Sequence, residues 1–351
     1  MTLRDAVRTA SNTVSRTARE LALVSGNRSA SQLDRITAFG QLIGEEIGDT
    51  WMRRSRGLER DFNQSQLFMK FEGENPTGTQ KDRIAFAHVE DALIDGRETV
   101  SLATCGNYGV AVALACSLAG IDCEIFIPAG YHTHRLGEME RLGARIYRPP
   151  GTYEDTVAFS NAEAQRRGWY NANPGAANTD LQLRAYATIA DEIVTTLGRA
   201  PDVVAVPVSN GTLLAGIHQG FARLRDQSRI AVLPRMVAAS STHKNPIVSS
   251  FRRGSRRCED LRPEKIRETR INEPLINWHS FDGQEALDAL YESGGGAHNV
   301  SDQQLKRMST YLSQREALQV LPASTAGLIA LTENSPADEP TLKVAVLTAK
   351  R

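Results

Sequence analysis

Strand-like and helical patterns alternate along this chain, and the alternation limits the fold more than any other feature. A strand-like run at 99–103 is followed by a glycine-containing turn, a helical stretch at 110–118 and a second strand-like run at 123–128. These segments make one βαβ unit, and the pattern returns at 202–239. Because strands joined by crossover helices pair in parallel, the sequence predicts an α/β fold with mainly parallel sheets.

The same criteria predict further elements and two domains. The 351 residues suggest about two domains, and 41% apolar residues suffice for a core in each. The additional predicted elements are helices at 133–142, 153–167 and 213–224, a helix from Asp302 to about 316, a helix capped by Ser324, and strands at 144–147, 202–208, 235–239 and 342–347.

Composition excludes several classes of protein. The 41 Lys and Arg balance the 41 Asp and Glu, so there is no overall positive charge to attract a nucleic acid or an anionic membrane. The apolar runs are shorter than the roughly 18 residues that a membrane span needs. Four cysteines without a C-x-x-C pair indicate neither a disulfide framework nor zinc, and His132 with His134 lacks a third metal ligand. We expect a soluble, cytoplasmic protein without metal.

Two charged segments receive structural interpretations. The arginine-containing first twenty residues are expected to form a surface helix rather than a transit peptide. The stretch 244–270 carries nine Lys or Arg against four acidic residues and shows little apolar periodicity. We interpret it as a surface loop, although it could bind an anion or a partner.

The most informative run is 70–83. Thr77 and Gln80 match the S/T-x-x-E/Q capping box, which predicts a helix that begins here with Lys81 in its first turn. The N-terminus of a helix carries partial positive charge, so it disfavours an ammonium and favours the neutral, nucleophilic amine. A solvent-exposed lysine without a role would produce the same pattern.

Two turns follow predicted strands and precede predicted helices. The turn at 104–109 and the turn at 209–212 could each bind an anion through N–H groups at the helix start, although an ordinary turn remains an alternative for the first. Neither is a Walker A loop or a G-x-G-x-x-G motif. An amine together with a carboxylate site and a phosphate site suits an enzyme that uses pyridoxal phosphate.

From about Gly48 to its C-terminus, the chain resembles the fold-type II pyridoxal phosphate enzymes, the tryptophan synthase β superfamily, and is most similar to threonine synthases. The most specific motif is N-P-T-G at 75–78, followed after two residues by K-D-R. Other matching segments, in the family's order, are 48–50, 70–72, 104–107, 127–130, 173–174, 206–212, 322–324 and 346–348.

The resemblance implies roles for the matching residues. Lys81 would be the Schiff-base lysine and the base that removes the α-proton. The substrate carboxylate would be bound by Thr104, Cys105 and Gly106. The cofactor would contact Asn107 through its ring hydroxyl and Thr348 through its pyridine nitrogen. Its phosphate would be bound by Ser209, Asn210, Gly211 and Thr212. Cys105 stands where relatives carry a hydroxyl residue, which leaves the choice of substrate open.

The resemblance also implies an architecture and a reaction. Two three-layer lobes would hold the cofactor in a cleft: a larger cofactor-binding lobe at 1–86 and 181–351, and a smaller mobile lobe at 87–180, in a homodimer. The expected reaction is elimination or replacement on a small amino acid with a leaving group at Cβ or Cγ, as in threonine synthase. Candidate partners for a substrate phosphate are Arg135, Arg184 and 252–257.

Other reactions remain open at this point. One alternative is a β-replacing synthase that acts on O-phosphoserine or O-acetylserine, and another is a serine or threonine ammonia-lyase. A catalytically silent subunit on the same fold is the non-enzyme alternative.

Overall fold

The computed structural model of the chain describes residues 13–131, 133–334 and 341–351. Most of the N-terminal surface helix predicted over the first twenty residues, and His132, lie outside these residues. The predicted α/β class with mainly parallel sheets is confirmed: one sheet has six strands and the other has four.

The helices and strands alternate along most of the described chain. In chain order they are α1 (Arg16–Ser25), α2 (Gln32–Glu46), β1 (Met52–Arg54), α3 (Arg56–Asp61), β2 (Leu67–Phe71), α4 (Lys81–Ile94), β3 (Thr99–Ala103), α5 (Asn107–Ala119), β4 (Asp122–Phe126), α6 (Leu136–Arg141), β5 (Arg145–Tyr147), α7 (Tyr153–Arg167), β6 (Tyr170–Asn171), α8 (Thr179–Leu197), β7 (Val203–Pro207), α9 (Thr212–Asp226), β8 (Arg235–Ser241), α10 (Pro246–Arg252), α11 (Gly283–Glu292), β9 (Gly296–Val300), α12 (Asp302–Arg315), α13 (Ala326–Asn334) and β10 (Lys343–Leu347). Short 3₁₀ turns lie at Glu72–Glu74, Ala176–Asn178, Pro263–Lys265, Glu273–Leu275 and Pro322–Thr325.

The chain forms two compact units. Unit 1 comprises Met1–Gly48 and Asn75–Pro174, and unit 2 comprises Asp49–Glu74 and Gly175–Arg351. This division differs from the predicted lobes, which placed all of 1–86 with the larger one.

Packing within unit 1 explains the difference. The ring of Phe39 in α2 stacks on that of Phe86 in α4, with centroids 5.8 Å apart. Ser25 Oγ donates a hydrogen bond to Leu118 O at 2.8 Å. These contacts fix the N-terminal helices to α4 and α5, and local sequence patterns do not report such long-range packing.

The sheet of unit 1 has the strand order β5-β4-β3-β6, and all its pairs are parallel. Helix α5, which follows β3, is apolar on every side, and all its residues from Tyr108 to Ala119 are buried. A helix that is apolar all round forms the interior of a unit rather than its surface. The α5 N-terminus is therefore fixed at the carboxyl edge of this sheet.

The sheet of unit 2 has the order β1-β2-β10-β7-β8-β9, in which only β1 runs antiparallel to its neighbour. The central strands β7 and β10 are continuous apolar runs whose residues are all buried, as is typical of parallel strands covered on both faces. Their parallel pairing aligns Val203 with Lys343, so both strands end at the same edge.

Some predicted helix boundaries were wrong. The helix predicted at 133–142 covers only Leu136–Arg141. Ser301, rather than Asp302, caps α12, and it forms a capping box with Gln304. Ser324 lies in a 3₁₀ turn instead of capping a helix, because its hydroxyl accepts a hydrogen bond from Ala349 N at 3.0 Å.

Candidate active site

Lys81 is the first residue of α4, so the predicted placement of this lysine at a helix start is confirmed. The predicted Thr77–Gln80 capping box is wrong. Gln80 itself occupies the N-cap position with a helical backbone and makes no capping hydrogen bond through its side chain. Instead, Thr79 Oγ1 accepts a hydrogen bond from Lys81 N at 3.1 Å.

Asp82, which sequence reasoning did not assign to the site, connects the preceding turn to α4. Its fully buried carboxylate accepts hydrogen bonds from Thr77 N at 3.0 Å and Thr77 Oγ1 at 2.9 Å. Burial raises the pKa of Asp82 to about 7, while the hydrogen bonds from Thr77 oppose the rise. Asp82 thus fixes the position at which α4 begins, and with it the backbone of Lys81.

The Lys81 side chain lies beside the start of α5. Its Nζ is 5.6 Å from the ring centroid of Tyr108. The Tyr108 hydroxyl donates to Ala172 O at 2.8 Å, which fixes the ring. Unit 1 therefore brings the amine to the turn that precedes α5.

That turn, residues 104–107, is named here the unit 1 turn. It joins β3 to α5, and the helix is capped by Gly106, which has no side chain to bond the first N–H groups. A Cβ placed on Gly106 would contact no heavy atom of the described residues within 4 Å. The unit 1 turn thus combines the positive end of a helix with open space, which suits an anion.

Asn107, the last residue of the unit 1 turn, has a cationic neighbour. Its Oδ1 accepts a hydrogen bond from Arg135 Nη1 at 2.7 Å. Arg135 also pairs with Glu138 at 2.8 Å, and its side chain is only 17% exposed. Of the candidate cations for a substrate phosphate, Arg135 is thereby placed against the unit 1 turn, whereas Arg184 is exposed on α8.

The corresponding turn of unit 2, residues 209–212, is named the unit 2 turn and joins β7 to α9. Its Gly211 caps the helix at a φ of +99°, a conformation that glycine adopts readily. A Cβ there would lie 2.6 Å from Asp282 O. Only glycine fits this position without strain.

The hydroxyl of Thr212 is already used within unit 2. It donates to Asp282, whose other carboxylate oxygen accepts from Thr179 Oγ1 at 2.7 Å. A threonine hydroxyl has one hydrogen, so Thr212 keeps none for a second acceptor. The donor that Thr212 itself offers to an anion is therefore its main-chain N–H group.

Distant side chains hold the remainder of the unit 2 turn. Asn245 Nδ2 donates to Ser209 O at 2.9 Å, and Asn277 Nδ2 donates to Asn210 Oδ1 at 2.9 Å. Sequence reasoning missed Asn245, Asn277 and Asp282. Because they lie 36, 67 and 70 residues beyond their partners, no local pattern could have indicated them.

Thr348 directly follows β10 rather than lying within it. Its Oγ1 is 3.3 Å from Ser324 Oγ. Because β10 and β7 are parallel neighbours, Thr348 and the unit 2 turn lie at the same edge of the six-stranded sheet. The carboxyl edge of a parallel sheet is where α/β proteins bind ligands.

Within 13–131, 133–334 and 341–351, no group of three or more His, Cys, Asp or Glu side chains could hold a metal ion. No helix in these ranges is both long and apolar enough to cross a membrane.

Comparison with known families identifies the class of protein. The sequence pattern of the family described as "Pyridoxal-phosphate dependent enzyme" matches residues 43–348. The chain belongs to this family, so the predicted family and the predicted cofactor, pyridoxal phosphate, are confirmed.

Individual relatives refine this result. The chain is 31% identical over 291 residues to a threonine synthase of Methanocaldococcus jannaschii, a match that covers 81% of this chain and 69% of the relative. It is 30% identical over 272 residues to a threonine synthase of Mycobacterium bovis, covering 76% and 70%.

Solved structures show the same fold. Maize serine racemase matches with a TM-score of 0.72 at 19% identity, over 91% of this chain and 94% of the racemase. Threonine deaminase isoform 2 from Solanum lycopersicum matches with a TM-score of 0.71 at 14% identity, over 93% and 86%. At these identities the likeness shows the fold alone, and it confirms the predicted fold type.

Proposed function

We propose that this pyridoxal phosphate enzyme catalyses elimination or replacement at Cβ or Cγ of a small amino acid, in the manner of threonine synthase, with Lys81 as its catalytic residue. One observation carries the proposal: the Lys81 amine lies over Tyr108 at the glycine-capped start of α5. An amine for an aldehyde and a turn for a carboxylate are thus adjacent within unit 1. The threonine synthase relatives, at about 30% identity, supply the reaction type.

The donors in the structure fit the cofactor. Lys81 supplies a primary amine for the aldehyde, and the unit 2 turn supplies main-chain N–H groups at a helix start for the phosphate. Asn107 would contact the ring oxygen and Thr348 the pyridine nitrogen. When bound, pyridoxal phosphate withdraws electrons from the substrate and so acidifies its Cα–H bond.

Lys81 has two tasks in this proposal. Its amine holds the cofactor before the substrate arrives, and afterwards it takes the α-proton from the substrate carbon. The positive end of α4 disfavours an ammonium at this position and so favours the neutral amine that both tasks need. Asp82 keeps the backbone of Lys81 in place through the turn that it binds.

The unit 1 turn would bind the substrate carboxylate. Thr104, Cys105 and Gly106 lie at the start of α5, where N–H groups and the helix dipole favour an anion. The space beside Gly106 admits a ligand close to the backbone. Orienting the carboxylate fixes the direction in which the α-proton leaves, and thereby places it towards the amine.

Thr348 influences which reaction follows proton removal. A hydroxyl beside the pyridine nitrogen does not enforce protonation of that nitrogen as a carboxylate would. Electron withdrawal is then moderate, which favours loss of a leaving group over protonation elsewhere. This supports elimination or replacement rather than transamination.

The test is the visible absorbance spectrum of the purified protein after reconstitution with pyridoxal phosphate. We expect a visible cofactor band in the wild type and in the surface control Lys306→Ala, and none in Lys81→Ala. The band should then shift with one member of a panel of O-phosphohomoserine, O-phosphoserine, O-acetylserine, serine and threonine. The proposed reaction predicts that O-phosphohomoserine produces the largest shift.

Other outcomes would contradict the proposal at different levels. A band that no amino acid of the panel changes would remove the proposed reaction while leaving the cofactor. Absence of any band in the wild type would favour a catalytically silent subunit. A shift with O-acetylserine alone would replace the proposal by a β-replacing synthase.

A further inference from the structure

The side-chain amide of Asn107 has two chemically different ends. Its Oδ1 only accepts hydrogen bonds, and its Nδ2 only donates them. A guanidinium has donors and no acceptor, so the end of Asn107 that faces Arg135 must be the oxygen. The 2.7 Å contact between Arg135 Nη1 and Asn107 Oδ1 therefore fixes the orientation of the amide and leaves Nδ2 to face away from Arg135.

Arg135 is itself held in place. Its Nη2 donates a hydrogen bond to Glu138 Oε1 at 3.2 Å, and its Nε lies 2.8 Å from Glu138 Oε2 as an ion pair without hydrogen-bond geometry. Its backbone N donates to Thr133 Oγ1 at 3.2 Å. Because the group is planar, the contacts with Glu138 on one side direct Nη1 at Asn107 on the other.

We propose that Arg135 is a positioning residue: it orients the Asn107 amide so that Nδ2 faces the ring oxygen of pyridoxal phosphate. This rests on the proposed function, in which Asn107 contacts that oxygen. An Nδ2 donor suits an ionised ring oxygen, which only accepts hydrogen bonds. Without Arg135, the amide could present either end.

Other charged groups of unit 1 lie near the contact between Arg135 and Asn107. Glu138 partly neutralises the guanidinium, and the buried Asp82 carboxyl lies close enough that Arg135 lowers its pKa. Lys81 lies beyond Tyr108, the residue that follows Asn107. Within the described part of unit 1, Arg135 is the cation that bonds directly to Asn107.

The test compares Arg135→Gln and Arg135→Lys with the matched control Arg141→Gln, an exposed arginine at the other end of α6. The readouts are the dissociation constant of pyridoxal phosphate and the ratio of its visible band, from the ionised ring oxygen, to its near-ultraviolet band. Arg135→Gln should lower the ratio and weaken binding about tenfold, the loss expected for one charge-assisted hydrogen bond. Arg141→Gln should match the wild type.

Arg135→Lys carries the test if Arg135→Gln does not fold. A single ammonium keeps the charge but cannot reproduce the fork that binds Glu138 and Asn107 together. We expect a band ratio and an affinity between those of the wild type and of a variant without the charge. A lysine variant with the wild-type ratio and affinity would overturn the proposal.

A double-mutant cycle separates positioning from a merely structural role. If Arg135 acts through Asn107, the double variant Asn107→Ala/Arg135→Gln should have the same band ratio and affinity as Asn107→Ala alone. Additive losses would overturn the proposal, as would an Arg135→Gln protein identical to the wild type. A wild type without any cofactor band would instead refute the proposed function, and this inference with it.

Discussion

The unit 1 turn and the unit 2 turn share a plan but differ in how firmly they are held. Each follows a buried parallel strand, and each begins a helix capped by glycine. Gly211 has a φ of +99° and no space for a Cβ, whereas Gly106 has a φ of −141° and space beside it. A glycine-capped turn after a parallel strand is therefore rigid in unit 2 and open in unit 1.

The supporting side chains extend this contrast. The unit 2 turn is bound by Asn245, Asn277 and Asp282 from distant parts of the chain. The unit 1 turn has Arg135 on Asn107 at one end. A rigid turn suits a ligand that stays bound, such as the cofactor phosphate, and an open turn suits a ligand that arrives and leaves, such as a substrate carboxylate. In the proposed function, the more rigid turn is therefore the one that binds the permanent ligand.

Gly211→Ala should have the largest combined effect, on both stability and cofactor binding, and would test the rigidity of the unit 2 turn. The substitution imposes a strained φ and places a methyl group 2.6 Å from Asp282 O. We expect a loss of about 2 to 3 kcal/mol in the free energy of unfolding, measured by urea titration, and loss of cofactor binding. A Gly211→Ala variant with wild-type stability would contradict the rigidity of the unit 2 turn.

The pH dependence of stability tests the support of Lys81 in unit 1. Burial raises the pKa of Asp82 to about 7, above the roughly 3.9 of an unfolded chain. The folded protein therefore binds a proton that the unfolded chain releases, and its contribution to stability is full below about pH 4 and is lost as the pH rises through 7. The contribution of Asp82 to the slope between these values should approach about 1.4 kcal/mol per pH unit.

Asp82→Asn isolates that contribution. The amide keeps an acceptor for Thr77 but cannot ionise, so this part of the pH dependence should disappear from urea titrations between pH 4 and 8. An unchanged slope in the variant would show that Asp82 is not the titrating group. Thermal midpoints at the same pH values provide an independent readout.

Thr212→Val should have a moderate effect on stability and little effect on the cofactor. Its hydroxyl donates to Asp282, so its removal leaves a buried carboxylate with one fewer partner and costs about 1 to 2 kcal/mol in the free energy of unfolding. The dissociation constant of pyridoxal phosphate should change less than about threefold if, as proposed, the main-chain N–H groups of the unit 2 turn bind the phosphate. Thr212→Ser is the matched control.

A large loss of cofactor affinity in Thr212→Val, with stability unchanged, would reverse this interpretation. It would mean that the hydroxyl leaves Asp282 for the phosphate when the cofactor binds. The unit 2 turn would then be less rigid than its contacts with Asp282 indicate.

Gly106→Ala should have the smallest effect on stability. Comparing it with Gly211→Ala tests whether the two turns differ in rigidity. Gly106 has a negative φ of −141° and an open Cβ position, so the change in unfolding free energy should stay below about 1 kcal/mol. A methyl group in that space should raise the KM for the amino acid more than it lowers kcat. Equal destabilisation by the two alanine substitutions would break the comparison.

The sequence predicts the fold class and the candidate site where the signals are local. Lys81 at the start of α4, the two turns after buried strands, and the closing strand β10 each follow from periodicity and turn residues within about ten positions. The capping box failed for a local reason. Thr77 bonds Asp82 instead of the backbone, and residue patterns do not decide between such competing partners.

Long-range features could not be predicted. The partners of the unit 2 turn are separated from it by tens of residues and share no motif with it. The association of the N-terminal helices with unit 1 depends on contacts such as Phe39 with Phe86, which only the folded chain brings together. Arg135 was one of several candidate cations until the structure placed it on Asn107.

The central claim is that Lys81 binds the cofactor covalently, and borohydride reduction tests it most directly. Reduction of the reconstituted protein makes a bond between the cofactor aldehyde and a lysine amine permanent, and peptide mass spectrometry locates it. We predict one modified peptide, containing Lys81, with Lys81→Ala unmodified under the same conditions. Modification of a different lysine, such as the buried Lys70, or of none, would contradict the claim.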